Sequence, residues 1–267
     1  MSQSLMRIAL VQMNIEIGRP DVNFGRALTM MEQAVSVGNK PDVIVLPEMW
    51  NTGYALDRIE ELADVDGERT KRTIRDFCRR HDVHVIAGSI ALKRGEDGGV
   101  CNTALVFDKG GNLIADYAKI HLFRLMEEDR YLTAGDRAVS FEIDGYPCGA
   151  MICYDIRFPE LARKLAIGGA KMLFVPAEWP KPRLHHWRTL LQARAIENQM
   201  FVVSCNRVGT SGTTEFFGHS MIVDPWGDIV VEGGEEETIL HAEVDLSLTE
   251  RVRRTIPVFE DRRPSLY

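Results

Sequence analysis

The sequence predicts an α/β protein built as a four-layer α-β-β-α sandwich of two mixed sheets. Short runs such as Val43-Ile44-Val45-Leu46 are apolar on both faces, as strands covered on both sides must be. These runs alternate with amphipathic helical segments, which calls for helices packed on sheets. The chain also carries an internal repeat. Val43-Ile44-Val45-Leu46-Pro47-Glu48-Met49-Trp50 aligns without a gap on Met172-Leu173-Phe174-Val175-Pro176-Ala177-Glu178-Trp179. The hairpin Val106-Phe107-Asp108-Lys109-Gly110-Gly111 matches Ile222-Val223-Asp224-Pro225-Trp226-Gly227, and residues 8–15 lie on 149–156. Two similar halves, each a sheet with helices on one face, then pack sheet to sheet.

The elements follow in order. Residues 7–13 read as a buried strand, and Asp21 caps a helix to about Val37, stopped by Gly38. After the strand 43–46, residues 67–80 form a charged helix with Ile74, Phe77 and Cys78 inward. A strand over 83–90 leads to a glycine-rich turn at 95–99. Strands over 101–107 and 113–119 flank Asp108-Lys109-Gly110-Gly111, a hairpin signal, and a polar loop spans 121–136. Strands over 139–143 and 149–152 precede a helix that starts at Pro159 and ends near Gly168-Gly169. A strand at 172–175, a helix at 183–198, a strand at 201–204, a hairpin over 221–231 and a strand at 238–244 complete the pattern. Residues 1–245 are read as one domain. Residues 246–267 are a polar extension whose apolar patch, Ile256-Pro257-Val258-Phe259, suits docking on a partner subunit.

At 267 residues, 45% hydrophobic and 27% charged, the chain has the makings of an ordinary globular core, which argues against disorder. A net charge of −7 leaves no footprint for nucleic acid, and no apolar stretch is long enough for a membrane span. The start, Met1-Ser2-Gln3-Ser4-Leu5, lacks the pattern of a secretory signal, so the expected location is the cytoplasm. Cys78, Cys101, Cys148, Cys153 and Cys205 are odd in number and scattered, without zinc spacing. His185-His186, neighbours on a helix, do not share a face, so no metal site is expected.

The chemistry centres on Gly149-Ala150-Met151-Ile152-Cys153-Tyr154-Asp155-Ile156-Arg157-Phe158-Pro159-Glu160, a strand, an elbow and a helix. Unpaired N–H groups and the positive end of a helix dipole at such an elbow favour a thiolate and suit an oxyanion, though Cys153 also reads as a small buried hydrophobe. Glu48 follows an apolar strand end and a proline, where burial is expected to raise its pKa and suit it as a general base; the alternative is a solvated loop acid. Lys119 ends an apolar strand, either to stabilise an oxyanion or to serve in a salt bridge.

Glu, Lys and Cys at strand ends, in that order, resemble the carbon-nitrogen hydrolase superfamily, the nitrilases and related amidases. The resemblance rests on Leu46-Pro47-Glu48, Lys119-Ile120-His121-Leu122-Phe123 and Ile152-Cys153-Tyr154-Asp155-Ile156-Arg157-Phe158-Pro159-Glu160, supported by Gly218-His219-Ser220 and Asp224-Pro225-Trp226-Gly227. It implies the nitrilase fold, Cys153 as nucleophile, Glu48 as base, Lys119 as transition-state stabiliser and the Tyr154 N–H as a second oxyanion donor. Glu128, seven residues before Gly135, matches the family's second glutamate, whereas Glu127 does not. It further implies a cysteine thioester, no metal or organic cofactor, and a homodimer or higher homo-oligomer built through helices beside the site.

Finer resemblance, through Ala177-Glu178-Trp179-Pro180, His186-Trp187 and Ala193-Arg194-Ala195-Ile196-Glu197-Asn198-Gln199, is to bacterial omega-amidases linked to methionine salvage. Their activity implies a small carboxylate-bearing amide, 2-oxoglutaramate, as substrate. Glu178 is then a substrate-binding candidate. Tyr54 and Trp179 either wall the pocket or pack in the core. Arg157, Arg183 and Arg188 are possible carboxylate clamps, with Arg157 alternatively a partner of Asp155 or Glu160. Competing readings are a general aliphatic amidase, a nitrilase, an N-carbamoyl amide hydrolase, and a non-catalytic binding protein on the same fold. A nucleotide-binding domain is excluded, because residues 95–99 lack a phosphate-loop pattern.

Overall fold

The computed structural model describes residues 5–95 and 98–266. The first half runs β1 (Leu5–Gln12), α1 (Pro20–Val35), β2 (Val43–Val45), α2 (Ile59–Leu62), β3 (Asp64–Val65), α3 (Glu68–His81), β4 (His84–Lys93), β5 (Val100–Phe107) and β6 (Leu113–Ala118). A loop carrying α4 (Glu128–Tyr131) crosses to the second half. That half comprises β7 (Ser140–Ile143), β8 (Tyr146–Ala150), α5 (Pro159–Ile167), β9 (Met172–Ala177), α6 (Leu184–Asn198), β10 (Phe201–Asn206), β11 (Val208–Ser211), β12 (Thr214–Phe217), β13 (Met221–Val223) and β14 (Ile229–Glu232). β15 (Thr238–Asp245) and α7 (Ser247–Thr255) close the chain.

One sheet has the order β15-β1-β2-β4-β5-β6, with β3 on β4, and the other β14-β13-β10-β9-β8-β7. β1, β2 and β4 are parallel, and β5 and β6 return antiparallel. β8, β9, β10, β13 and β14 repeat that pattern. The sequence repeat is therefore a repeat of topology, with α1 and α3 answering to α5 and α6.

Side-chain alternation builds the layers. Ile8, Leu10, Val43 and Val45 point into the cluster that joins the two sheets, whereas Ala9, Val11 and Ile44 face Phe24, Met31 and Phe77 of α1 and α3. α3 buries Thr70, Ile74, Phe77 and Cys78, the one-sided stripe its spacing predicts. On the far side Leu161 and Leu165 of α5 and Leu191 and Ala195 of α6 cover the second sheet.

Some local expectations change. Asp21 is not the cap of α1: Pro20 takes the first helical position, where its missing N–H costs nothing, and Asp21 lies inside the first turn. The polar tail begins as a helix, because Thr249 and Val252 give α7 a buried face and Arg253 donates to the Ala170 carbonyl at 2.8 Å. The β11–β12 hairpin had no clear period-2 signal in the sequence. The turn expected at 95–99 includes residues 96 and 97, which lie outside the described residues, as do residues 1–4 and 267.

Candidate active site

β2 delivers Glu48 through a turn held by β4. β4 bulges between Ile86 and Ser89, where Gly88 adopts φ +54°, and a Cβ there would stand 1.9 Å from the Pro47 carbonyl oxygen. Ser89 receives the turn: its N–H donates to Pro47 O at 3.1 Å, and its hydroxyl accepts from Met49 N at 3.0 Å. β6 delivers Lys119, whose N–H donates to Asn102 O at 2.9 Å and whose carbonyl accepts from Gly135 N at 2.8 Å. Gly135 is required at that contact, since a Cβ would lie 2.1 Å from the Ala118 carbonyl oxygen. This close approach pins the loop that carries Glu128.

Cys153 opens a tight helical turn, Cys153–Arg157, at φ +46°. Asp155, fully buried, ties this turn to the Lys119 segment. It accepts from Ile152 N (2.9 Å), Tyr117 OH (2.7 Å), His121 N (3.0 Å) and His121 Nδ1 (2.7 Å).

These elements bring together all four catalytic candidates. Lys119 Nζ donates to Glu48 Oε1 at 2.8 Å and Glu128 Oε1 at 2.7 Å, and all three groups are at most 1% exposed. Glu48 Oε1 also accepts from Asn102 Nδ2 (2.7 Å) and faces the Tyr54 hydroxyl (2.8 Å), while Oε2 accepts from the Glu178 N–H (2.7 Å). Glu128 accepts from Phe123 N at 2.8 Å and contacts the Tyr54 hydroxyl. The Cys153 thiol lies near enough to the Glu48 carboxylate for each to shift the other's pKa. Glu127, by contrast, is an exposed partner of Arg130.

The electrostatics revise two expectations. Burial pushes the Cys153 pKa well up and the neighbouring Glu48 carboxylate adds to it, outweighing Lys119. The resting group is thus a thiol rather than the thiolate that an elbow alone predicts. Glu48 moves the other way: burial raises its pKa, but Lys119, the Glu178 N–H and the thiol hold it below the ordinary carboxylate value. Glu128 is raised instead, pushed up by burial and by repulsion from Glu48 against the pull of Lys119. Lys119 stays charged, because Glu128 and Glu48 outweigh the cost of burying it.

The narrow pocket above this cluster encloses about 280 Å³ of empty space, open solvent at its mouth included. Lys119, Glu128, Cys153, Tyr154, Tyr54, Glu178 and Trp179 all line it, with Phe123, Met126, Arg157, Pro180 and Arg183. Arg157 lies over the Trp179 ring, 4.8 Å from its centroid, and Arg183 over Phe123 at 5.7 Å. Among the described residues neither guanidinium forms an ion pair with a carboxylate, and Asp155 is committed elsewhere. Arg188 is away from the pocket, paired with Glu232 at 2.6 Å. Sequence reasoning missed Asn102 and Arg207. Asn102 was visible as a polar residue inside an apolar strand, and Arg207 pairs with Glu178 at 3.1 Å, both fully buried. Among the described residues no group of three His, Cys, Asp or Glu is placed to hold a metal ion.

A four-layer sandwich with a cysteine, two glutamates and a lysine at the floor of a small pocket defines a class, the hydrolases of carbon–nitrogen bonds other than peptide bonds. The family described as carbon-nitrogen hydrolase matches residues 7–254, and the chain belongs to that family. It is similar to the 2-oxoglutaramate amidase of Bacillus subtilis, 48% identical over 260 residues covering 97% of this chain and 98% of that one. The human omega-amidase is 33% identical over 271 residues, 98% of this chain and 96% of that one. Among solved structures, a carbon-nitrogen hydrolase from Helicobacter pylori superposes with a TM-score of 0.93 at 27% identity, covering 99% of this chain and 97% of that one.

Proposed function

We propose that this enzyme is a cysteine-dependent amidase that hydrolyses the terminal amide of a small carboxylate-bearing substrate of the 2-oxoglutaramate type. One observation carries the substrate class: two guanidiniums, Arg157 and Arg183, line the pocket without a carboxylate partner among the described residues. A substrate carboxylate supplies that partner. The Bacillus relative's name points the same way.

In the proposed cycle Glu48 takes the Cys153 proton as the sulfur attacks the amide carbon. Lys119 and the Tyr154 N–H stabilise the oxyanion. Glu48 returns the proton to the departing nitrogen, ammonia leaves, and a thioester remains. Glu48 then deprotonates water, which attacks the thioester and releases the acid, and the proton goes back to the sulfur. Glu128 holds Lys119 in place. Five free cysteines support a reducing compartment such as the cytoplasm. Exposed Ile167 on α5 and Ile256 after α7 support a homodimer through that face.

The test is ammonia release from 2-oxoglutaramate, a simple aliphatic amide, a nitrile and an N-carbamoyl amino acid, with intact mass recorded during turnover. 2-Oxoglutaramate should lead, with an acyl adduct that Cys153→Ala abolishes together with ammonia release. Preference for the nitrile or the carbamoyl compound overturns the substrate class. Unchanged turnover in Cys153→Ala overturns the mechanism and leaves a binding protein.

A further inference from the structure

Glu178 has a feature the cycle above leaves unused. Its Oε2 is held by Arg207 Nη1 at 3.1 Å, but its Oε1, buried at the pocket wall, has no hydrogen-bond partner. Arg207 is rigid, donating also to Ile15 O (2.6 Å), Asn14 Oδ1 (3.2 Å) and Ser211 Oγ (3.1 Å). A buried carboxylate oxygen left open beside a pocket needs an explanation.

Counting acceptors supplies one. A primary amide brings one oxygen and two N–H donors. Its oxygen turns to Lys119, so the N–H groups need acceptors. Glu48 Oε1 already faces Lys119, Asn102 and Tyr54, and its Oε2 meets the Glu178 N–H. Glu128 Oε1 takes Lys119 and shares the single Tyr54 hydroxyl proton with Glu48, and its Oε2 takes the Phe123 N–H. Of the six carboxylate oxygens, Glu178 Oε1 is the one without a protein donor among the described residues.

We propose that Glu178 Oε1 accepts an N–H of the scissile amide, making Glu178 the residue that selects amides over esters. The inference rests on the amidase reading above. Burial, opposed by Arg207 and reinforced by Glu48, pushes the Glu178 pKa up to about 8, and an N–H donated to the open oxygen favours its ionised form.

The experiment compares kcat/KM for 2-oxoglutaramate and for the methyl ester of the same acyl group in wild type and Glu178→Gln. The glutamine keeps an oxygen on Arg207 and turns its NH2 to the pocket, donor against donor. The amide-to-ester ratio should fall on the order of 10- to 100-fold, because amide turnover loses more than ester turnover. Because Glu178→Gln leaves Arg207 buried without its counter-charge, the double variant Glu178→Met, Arg207→Met, which removes both charges, is measured alongside and should show the same fall. Proportional loss of both activities, or failure of both variants to fold, assigns the pair to structure and overturns the inference. Wild type that hydrolyses neither compound overturns the amidase reading itself, and this inference with it.

Discussion

Replacing Lys119 by methionine tests the charge arrangement at the floor of the pocket. The side chain keeps its volume, but the ammonium that bridges Glu48 and Glu128 at 2.8 and 2.7 Å is gone, leaving two buried carboxyls in mutual contact with Tyr54. At least one must then take a proton in the folded state. Holding a glutamic acid neutral costs about 1.36 kcal/mol for each pH unit above its unfolded value near 4.3. That is about 5 kcal/mol at pH 8 and about 1.6 kcal/mol at pH 5.5. The sign follows from proton counting. In the variant the folded-state pKa is raised, the folded state binds the extra proton, and stability is lost as pH climbs from the unfolded value toward the folded one. Wild type, with Glu48 held low by Lys119, carries no such loss at that carboxylate. Wild type has its own loss at the raised Glu128, so urea denaturation at both pH values should show a wild-type-minus-variant gap that widens by at most about 3.4 kcal/mol from pH 5.5 to pH 8. Amide turnover should fall by about 10²- to 10³-fold at either pH, the usual loss for one oxyanion donor. A gap that does not widen between the two pH values would refute the assignment of Lys119 as the charge holding two buried carboxyls together.

Three further outcomes follow from the structure. Because burial and Glu48 keep Cys153 protonated, its alkylation by iodoacetamide, followed by mass, should be slow at pH 7 and still rising beyond pH 9; a plateau below pH 8 would contradict a raised thiol pKa. Glu48→Gln should speed alkylation while abolishing turnover, since it removes the negative neighbour and the proposed base together. Gly88→Ala places a Cβ 1.9 Å from the Pro47 carbonyl oxygen at φ +54°, so it should cost about 3 kcal/mol or more in urea denaturation and lower kcat through displacement of Glu48; near wild-type behaviour would mean that the bulge does not set the Glu48 turn.

Much of this molecule is legible in its sequence, because apolar runs and a gapless repeat report burial and topology directly. The strands β2, β9 and β10, and the pairing of Pro47-Glu48 with Pro176-Ala177, need no long-range information. Signs of pKa shifts do need it. Burial alone predicts a raised Glu48, and only the meeting of Lys119, 71 residues later, with Glu178, 130 residues later, reverses it. The same holds for the thiol: an elbow suggests a low pKa, but burial, joined by the carboxylate that arrives from the other half, raises it. Arg207 was illegible because its partners lie just past β9, on the segment after β1 and at the end of β11.

The repeat also explains why one molecule has one such site. At the counterpart of Cys153 stands Gln12, which donates to the Gly234 and Glu236 carbonyls at 2.8 and 2.7 Å and accepts from Ser220 N at 2.9 Å. That position has become a tie between strands, with no spare capacity for a ligand. At the counterpart of Glu48 stands Ala177, whose carbonyl accepts the Glu48 N–H at 3.4 Å, and the next residue, Glu178, returns its own N–H to Glu48 Oε2 at 2.7 Å. The two equivalent strand ends are therefore bonded to each other, and a second acid at position 177 would set two carboxylates against each other across that junction. Moving the acid one residue on, to Glu178, gives it the Arg207 guanidinium as partner, which makes a third buried carboxylate beside Glu48 and Glu128 tolerable and leaves one oxygen unpartnered on a residue that lines the pocket. Asymmetry between the halves is what frees the space that a substrate needs.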